Sequence, residues 1–184
     1  MTKENNKILE AAVIGLKLLL ICAVIAGVVS CVYALTLDTY EKNLEATKNV
    51  AIGRIFGKEG LACQEMSEGS GVYTVQENGQ LIGYCVESSG KGFGGDIQLM
   101  VGYTLDQRII SVEIISLSET PGVGDKVNKA DYLAGYREQS GQLALGSDID
   151  KIAGSTVSSK GVLDGVNAAT LALNKALKGG SDGE

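Results

Sequence analysis

The chain has 184 residues, 45% of them hydrophobic, which suits one folded domain plus one membrane segment better than two domains. Histidine and tryptophan are absent, which excludes histidine-based triads, histidine-ligated haem and HExxH zinc sites. With 22 acidic against 16 basic residues and no basic run, nucleic acid is not an expected partner.

Residues 1–37 read as a cytoplasmic N-terminus and a membrane anchor. Leu18 to Leu37 is a run of 20 residues without a charge, enough to cross a hydrocarbon core of about 30 Å at about 1.5 Å per residue. Lys3, Lys7 and Lys17 precede it, which predicts a single-pass cell-membrane protein with its N-terminus in the cytoplasm and its body outside. Val28-Val-Ser-Cys31 also fits a lipoprotein processing box with Cys31 lipidated. The uncleaved helix is preferred because Val32, Tyr33, Ala34 and Leu35 carry the apolar run past that cysteine. Cys22 and Cys31 fall in the span; Cys63 and Cys85 follow it, as a disulfide or as two buried thiols. No CxxC spacing occurs, so no iron–sulfur cluster is expected within this chain.

Residues 38–70 are expected to form a juxtamembrane helix, Asp38 to Gly57, with Leu44, Val50 and Ile55 toward one buried face, then a connector from Lys58 to Ser70. A folded domain over 71–178 follows. Val72–Gln76 and Gln80–Glu87 are β-rich runs joined at Asn78-Gly79, the strongest short hairpin signal. A second pair, Ile97–Thr104 and Arg108–Leu117, follows the glycine-rich turn Gly90-Lys-Gly-Phe-Gly-Gly95. That turn matches GxGxxG in letters alone. A dinucleotide fingerprint follows a strand and opens a helix, whereas this run opens a strand, so its glycines are assigned to positive φ and close packing.

Ser118-Glu-Thr-Pro-Gly-Val-Gly-Asp-Lys126 holds the only proline of the chain and leads into a helix expected from Lys126 to Arg137. Leu143-Ala-Leu145 is a short strand or turn. Asp150-Lys-Ile-Ala-Gly-Ser-Thr-Val-Ser-Ser-Lys160 is a small-residue loop rich in hydroxyls, running into a terminal helix expected near Ser158. Such a loop brings backbone N–H groups and the positive end of a helix dipole to bear on an anion, most simply a phosphate. Its plainest alternative is Ser158 as an ordinary N-cap. Val162, Val166, Ala169 and Leu173 form one stripe of the helix, and residues 179–184 read as a frayed tail.

Asp150-Lys-Ile-Ala-Gly-Ser-Thr156 resembles the Asp-x-x-(Ser/Thr)-Gly-Ala-Thr flavinylation motif of the FMN-binding domain family, found in the G subunit of the Rnf complex and the C subunit of the sodium-pumping NADH:quinone reductase. Asp150, Gly154 and Thr156 match, with Thr156 in the place of the residue that a flavin transferase esterifies with the phosphate of FMN. Ala153 replaces a hydroxyl residue, and Ser155 stands where alanine is usual, making Ser155 the alternative acceptor beside Ser158 on the same loop. Glu119-Thr-Pro-Gly-Val-Gly124 is similar to the family's Glu-Thr-Pro-Gly-Leu-Gly loop. The resemblance implies that Glu119 to Gly124 pass along the isoalloxazine, with Gly122 and Gly124 allowing backbone contact, Val123 an apolar contact and Thr120 a hydrogen bond.

The resemblance further implies an α+β fold: one N-terminal transmembrane helix, then an antiparallel-sheet FMN-binding domain with packed helices. Its implied function is that of a covalently flavinylated electron carrier within a ferredoxin:NAD+ oxidoreductase complex that exports sodium or protons. The partners would be the other membrane subunits, the maturing flavin transferase and the lipid bilayer. No acid–base constellation for independent substrate chemistry is visible. A stand-alone tethered flavoprotein and a non-redox tethered module are the alternatives.

Overall fold

The computed structural model describes the backbone of residues 2–179 and the side chains of residues 13–33 and 46–179. The tail expected at 180–184 and the Leu44 side chain lie outside the described residues. The order is helix α1 (Thr2–Phe56), strands β1 (Ala62–Glu65), β2 (Val72–Glu77), β3 (Gln80–Lys91), β4 (Asp96–Tyr103) and β5 (Ile109–Leu117), a 3-10 turn (Gly124–Asn128), and helices α2 (Ala130–Ala134) and α3 (Thr156–Gly179).

Residues 1–46 and 47–184 form two units. In the first, the helical stretch long and apolar enough to span a bilayer is Val13–Tyr33, 21 residues with all of its side chains exposed. It begins before the uncharged run, because one lysine, Lys17, does not outweigh the apolar residues around it and has the reach to snorkel.

In the second unit the strands form one antiparallel meander in the order β1-β2-β3-β4-β5. β1 falls inside the expected connector. Its four residues carry little hydrophobic signal, since their side chains alternate between exposed and half-buried at the sheet edge, and ladder bonding to β2 is what makes them a strand. β3 runs on through Gly90, leaving a tight turn closed by the Gly92 N–H to the Gly95 carbonyl at 2.9 Å. The glycines of that turn have no positive φ, so of the two roles expected for them only close packing holds.

Strand alternation sends Ile97, Leu99, Val101 and Tyr103 of β4 to one face, where they are fully buried with Val162, Val166, Ala169 and Leu173 of α3. The predicted stripe of the terminal helix is therefore the stripe it buries. On the other face Ala51, Ile52 and Ile55 of α1 pack on Val75, Cys85 and Met100. Val50, expected on that face, is 54% exposed. At about 100° per residue, positions 51, 52 and 55 share a side that 50 does not. Cys63 and Cys85 are free thiols, half-buried and buried.

The helix expected over 126–137 divides into the 3-10 turn and the five-residue α2. α3 opens at Thr156, two residues before the expected start, so Ser158 lies inside the first turn and is not the N-cap. At Gly161 and Gly165 α3 lies against the backbone of β3. A Cβ on Gly161 would stand 2.5 Å from the Lys91 carbonyl oxygen, an approach only glycine permits. This contact brings the N-terminal turn of α3 up to the glycine-rich turn at the end of β3.

Candidate functional site

The end of β5, the turn after β3 and the start of α3 enclose an open cleft of about 520 Å³, lined by Phe93, Glu119, Thr120, Val123 and Gly124 and by residues 154–158. A larger depression of about 680 Å³ lies along residues 49–63. It holds none of the hydroxyl or Thr-Pro-Gly residues, and the chemistry favours the smaller cleft.

One wall follows from a turn. Val123 and Gly124 donate backbone N–H bonds to the Thr120 carbonyl at 3.2 and 3.1 Å, with Pro121 second in the turn and Gly122 third at φ +77°. That is the type II pattern, in which proline presets φ and glycine accepts the left-handed position. Gly122 shapes the loop without lining the cleft, while Val123 is carried into it with 47% of its surface exposed.

The opposite wall is the small-residue loop that runs into α3. Gly154 takes φ +80°, and Ser155 donates its N–H to the Ile152 carbonyl at 3.0 Å, turning the chain into α3. The first helical bond runs from Ser159 N–H to the Ser155 carbonyl at 2.8 Å. Amides at the start of such a turn have no intrahelical acceptor and point toward the loop. Ser155 is buried, and its hydroxyl donates to the Val123 carbonyl. Ser158 is buried as well, its hydroxyl donating to Glu119 Oε2 at 3.0 Å. Thr156 is exposed. Of the neighbouring hydroxyls in this run, Thr156 is the one presented to solvent in the cleft.

Glu119 behaves differently from its neighbours in the loop. Its Oε1 accepts the Phe93 N–H at 2.7 Å and the Gly94 N–H at 3.3 Å while Oε2 holds Ser158. Its carboxylate is thus occupied by protein donors on two other segments. Thr120 lines the cleft and is exposed. Asp150 is exposed and does not line the cleft, so the motif's first residue stands apart from the rest.

Two cleft residues were not singled out in the sequence. Phe93 is 77% exposed and Val157 51%, and with Val123 they give the cleft an apolar rim drawn from three segments. The available signal for Phe93 was an aromatic ring placed inside a run of glycines, where there is no neighbouring side chain to pack it.

The FMN-binding domain family matches residues 92–170, which include both cleft walls. The G subunit of the Na(+)-translocating ferredoxin:NAD(+) oxidoreductase complex of Acetobacterium woodii is 30% identical over 90% of this chain and 94% of its own length. The proton-translocating counterpart from Clostridium ljungdahlii is 33% identical over 53% of this chain; the matched part spans 56% of that relative's length. Among solved structures, the C subunit of the Na(+)-translocating NADH-quinone reductase of Parabacteroides distasonis matches with a TM-score of 0.49 and 22% identity, over 58% of this chain and 61% of that one.

Proposed function

The chain belongs to the FMN-binding G subunits of ion-translocating ferredoxin:NAD(+) oxidoreductase complexes, and from that membership we propose that it is a membrane-tethered electron carrier with FMN joined to Thr156 as a phosphoester. The observation that carries this reading is the exposure of Thr156 in the cleft while the hydroxyls of Ser155 and Ser158 are spent on Val123 and Glu119.

The residues present suit the group. The small, left-handed Gly154 leaves open space beside the acceptor, and the first-turn amides of α3 favour a phosphate there. Val123, Val157 and Phe93 supply apolar contact for a planar ring, and Thr120 a polar edge. When bound, FMN supplies the electron-transfer chemistry; the chain's own part is to hold it, orient it and set the charge around it. Covalent attachment makes a deep pocket unnecessary, which agrees with an open cleft that leaves the ring accessible to partner proteins.

Attachment requires an activated flavin nucleotide, delivered by a flavin transferase. The Thr156 oxygen forms the new bond to phosphorus, the bond from phosphorus to the leaving nucleotide phosphate breaks, and the hydroxyl proton leaves with that group or with water. The domain is assigned to the extracytoplasmic side because Lys3, Lys7 and Lys17 precede or enter the apolar span. Protease applied to intact cells should digest it, and full protection would reverse this orientation. Its partners there are the other membrane proteins of the complex.

Protein made together with a flavin transferase should carry the mass of FMN on the peptide holding Gly154 to Lys160, and Thr156→Val should lose it. Flavin found on Ser155 or Ser158 in that variant would displace Thr156 as the acceptor. Wild-type protein without flavin would overturn the covalent reading.

A further inference from the structure

The Glu119 carboxylate joins three segments that are distant in sequence. Through Oε1 it accepts two backbone N–H groups of the glycine-rich turn, Phe93 at 2.7 Å and Gly94 at 3.3 Å, and through Oε2 it accepts the Ser158 hydroxyl of α3 at 3.0 Å. Space for it is left by absent side chains, since a Cβ on Gly92 or on Gly124 would overlap the carboxylate itself. The glycines of this turn thus serve an internal anion. Hydrogen bonds with an ionised acceptor are shorter and stronger than neutral ones, and here they fix the backbone of a turn whose own side chain is unsupported. The chain's two phenylalanines make the contrast: Phe56 packs against the core beneath α1, while Phe93 stands 77% exposed on the pinned turn, facing the same cleft as Thr156.

We infer that Glu119 is a positioning residue that pins the Phe93 turn to the start of α3, and that the Phe93 ring so held is an apolar wall for the planar ring of the cofactor. This rests on the reading above that the cleft receives a flavin. Phe93 is the contact residue, and Glu119 acts through it. An aromatic ring on a rigid backbone gains contact area on a flat ligand at little cost in conformational freedom.

The test separates reach from charge. Glu119→Gln keeps the side-chain length, with its oxygen accepting both N–H groups and its amide donating to Ser158 Oγ. Glu119→Asp keeps the charge and loses one methylene of reach. In the full chain without flavin, in detergent micelles, NMR-detected hydrogen exchange at the Phe93 and Gly94 amides should quicken about tenfold in Glu119→Asp, which loses one or two of the bonds, and by a smaller factor in Glu119→Gln, which keeps them without the charge. Exchange in Glu119→Asp equal to wild type, or in Glu119→Gln as fast as in Glu119→Asp, would overturn the positioning role. In flavinylated protein, the visible absorption of the attached flavin should move toward that of free FMN in Phe93→Ala and Glu119→Asp, and remain as wild type in Glu119→Gln. Superimposable spectra in all variants would overturn the wall. Should wild-type protein carry no flavin, the function proposed above falls and the wall with it, while the exchange measurement still decides the role of Glu119.

Discussion

The Ser155 hydroxyl donates to the Val123 carbonyl, joining the small-residue loop before α3 to the Thr-Pro-Gly loop across 32 residues. That bond engages the Ser155 hydroxyl and leaves Thr156 as the exposed hydroxyl of the loop. Ser155→Ala should therefore leave the acceptor unchanged, with FMN still mapped to Thr156. The domain should lose about 1 kcal/mol, the usual cost of one partly buried hydrogen bond, read as a lower thermal midpoint. A loss of flavinylation with the fold intact would instead place the chemistry on Ser155.

Gly161 sits inside α3, where helix propensity alone expects alanine to stabilise by about 1 kcal/mol. The contact with Lys91 reverses that expectation. The obstacle is a backbone carbonyl at 2.5 Å, which cannot turn aside as a side-chain end would. Gly161→Ala should be destabilising by about 2 kcal/mol net, within the range for forcing extra volume into a packed site, and a lower midpoint in denaturant unfolding would show it. A raised midpoint would mean that α3 stands further from β3.

Cys85 is fully buried, and burial pushes its thiol far above the usual range, with nearby Cys63 adding a smaller rise; Cys63 is itself raised by burial. For a group whose folded pKa is raised, stability is complete below the unfolded pKa and is lost as pH climbs above it. Unfolded thiols ionise near 8.5, so stability should decline from about pH 8.5 upward, by at most about 1.4 kcal/mol per pH unit for each buried thiol. Cys85→Ala should be less stable at neutral pH yet show a shallower decline between about pH 8.5 and 10, with Cys63 and, toward about pH 10, the buried Tyr103 and Tyr136 accounting for what remains. Parallel curves for variant and wild type, in thermal midpoint against pH, would contradict this.

Val123→Asp should keep the covalent flavin, because the attachment proposed above is through the phosphate, while placing a negative charge on the cleft rim. A like charge disfavours the anionic reduced flavin. At roughly 8 Å and an effective dielectric constant of about 40 the Coulomb term is on the order of 1 kcal/mol. Redox titration should find a lowered midpoint potential in a folded, yellow protein. An unchanged potential would place the loop away from the ring.

What the sequence by itself determined is what local chemistry settles. The uncharged run before Asp38 makes a helix long and apolar enough to cross a membrane, Asn78-Gly79 makes a hairpin, and Pro121-Gly122 makes a type II turn, since each depends on residues within a few positions of one another. The 3.6-residue stripe of α3 marked its buried face, and the hydroxyl-rich run of Asp150 to Thr156 marked one wall of the cleft. The tertiary structure alone decided which hydroxyl is available, because Ser155 and Ser158 are taken up by partners 32 and 39 residues away. It decided that Glu119 is bound by the chain's own donors, and that Phe93, 26 residues earlier, is held by it at the cleft. β1 and, apart from Ile55, the packed side of α1 were illegible for the same reason: an edge strand is made by its ladder partner, and a short helix face by the sheet that covers it. Periodicity and turn residues record a segment's own preferences, whereas the cleft is made by three segments whose meeting no local pattern encodes.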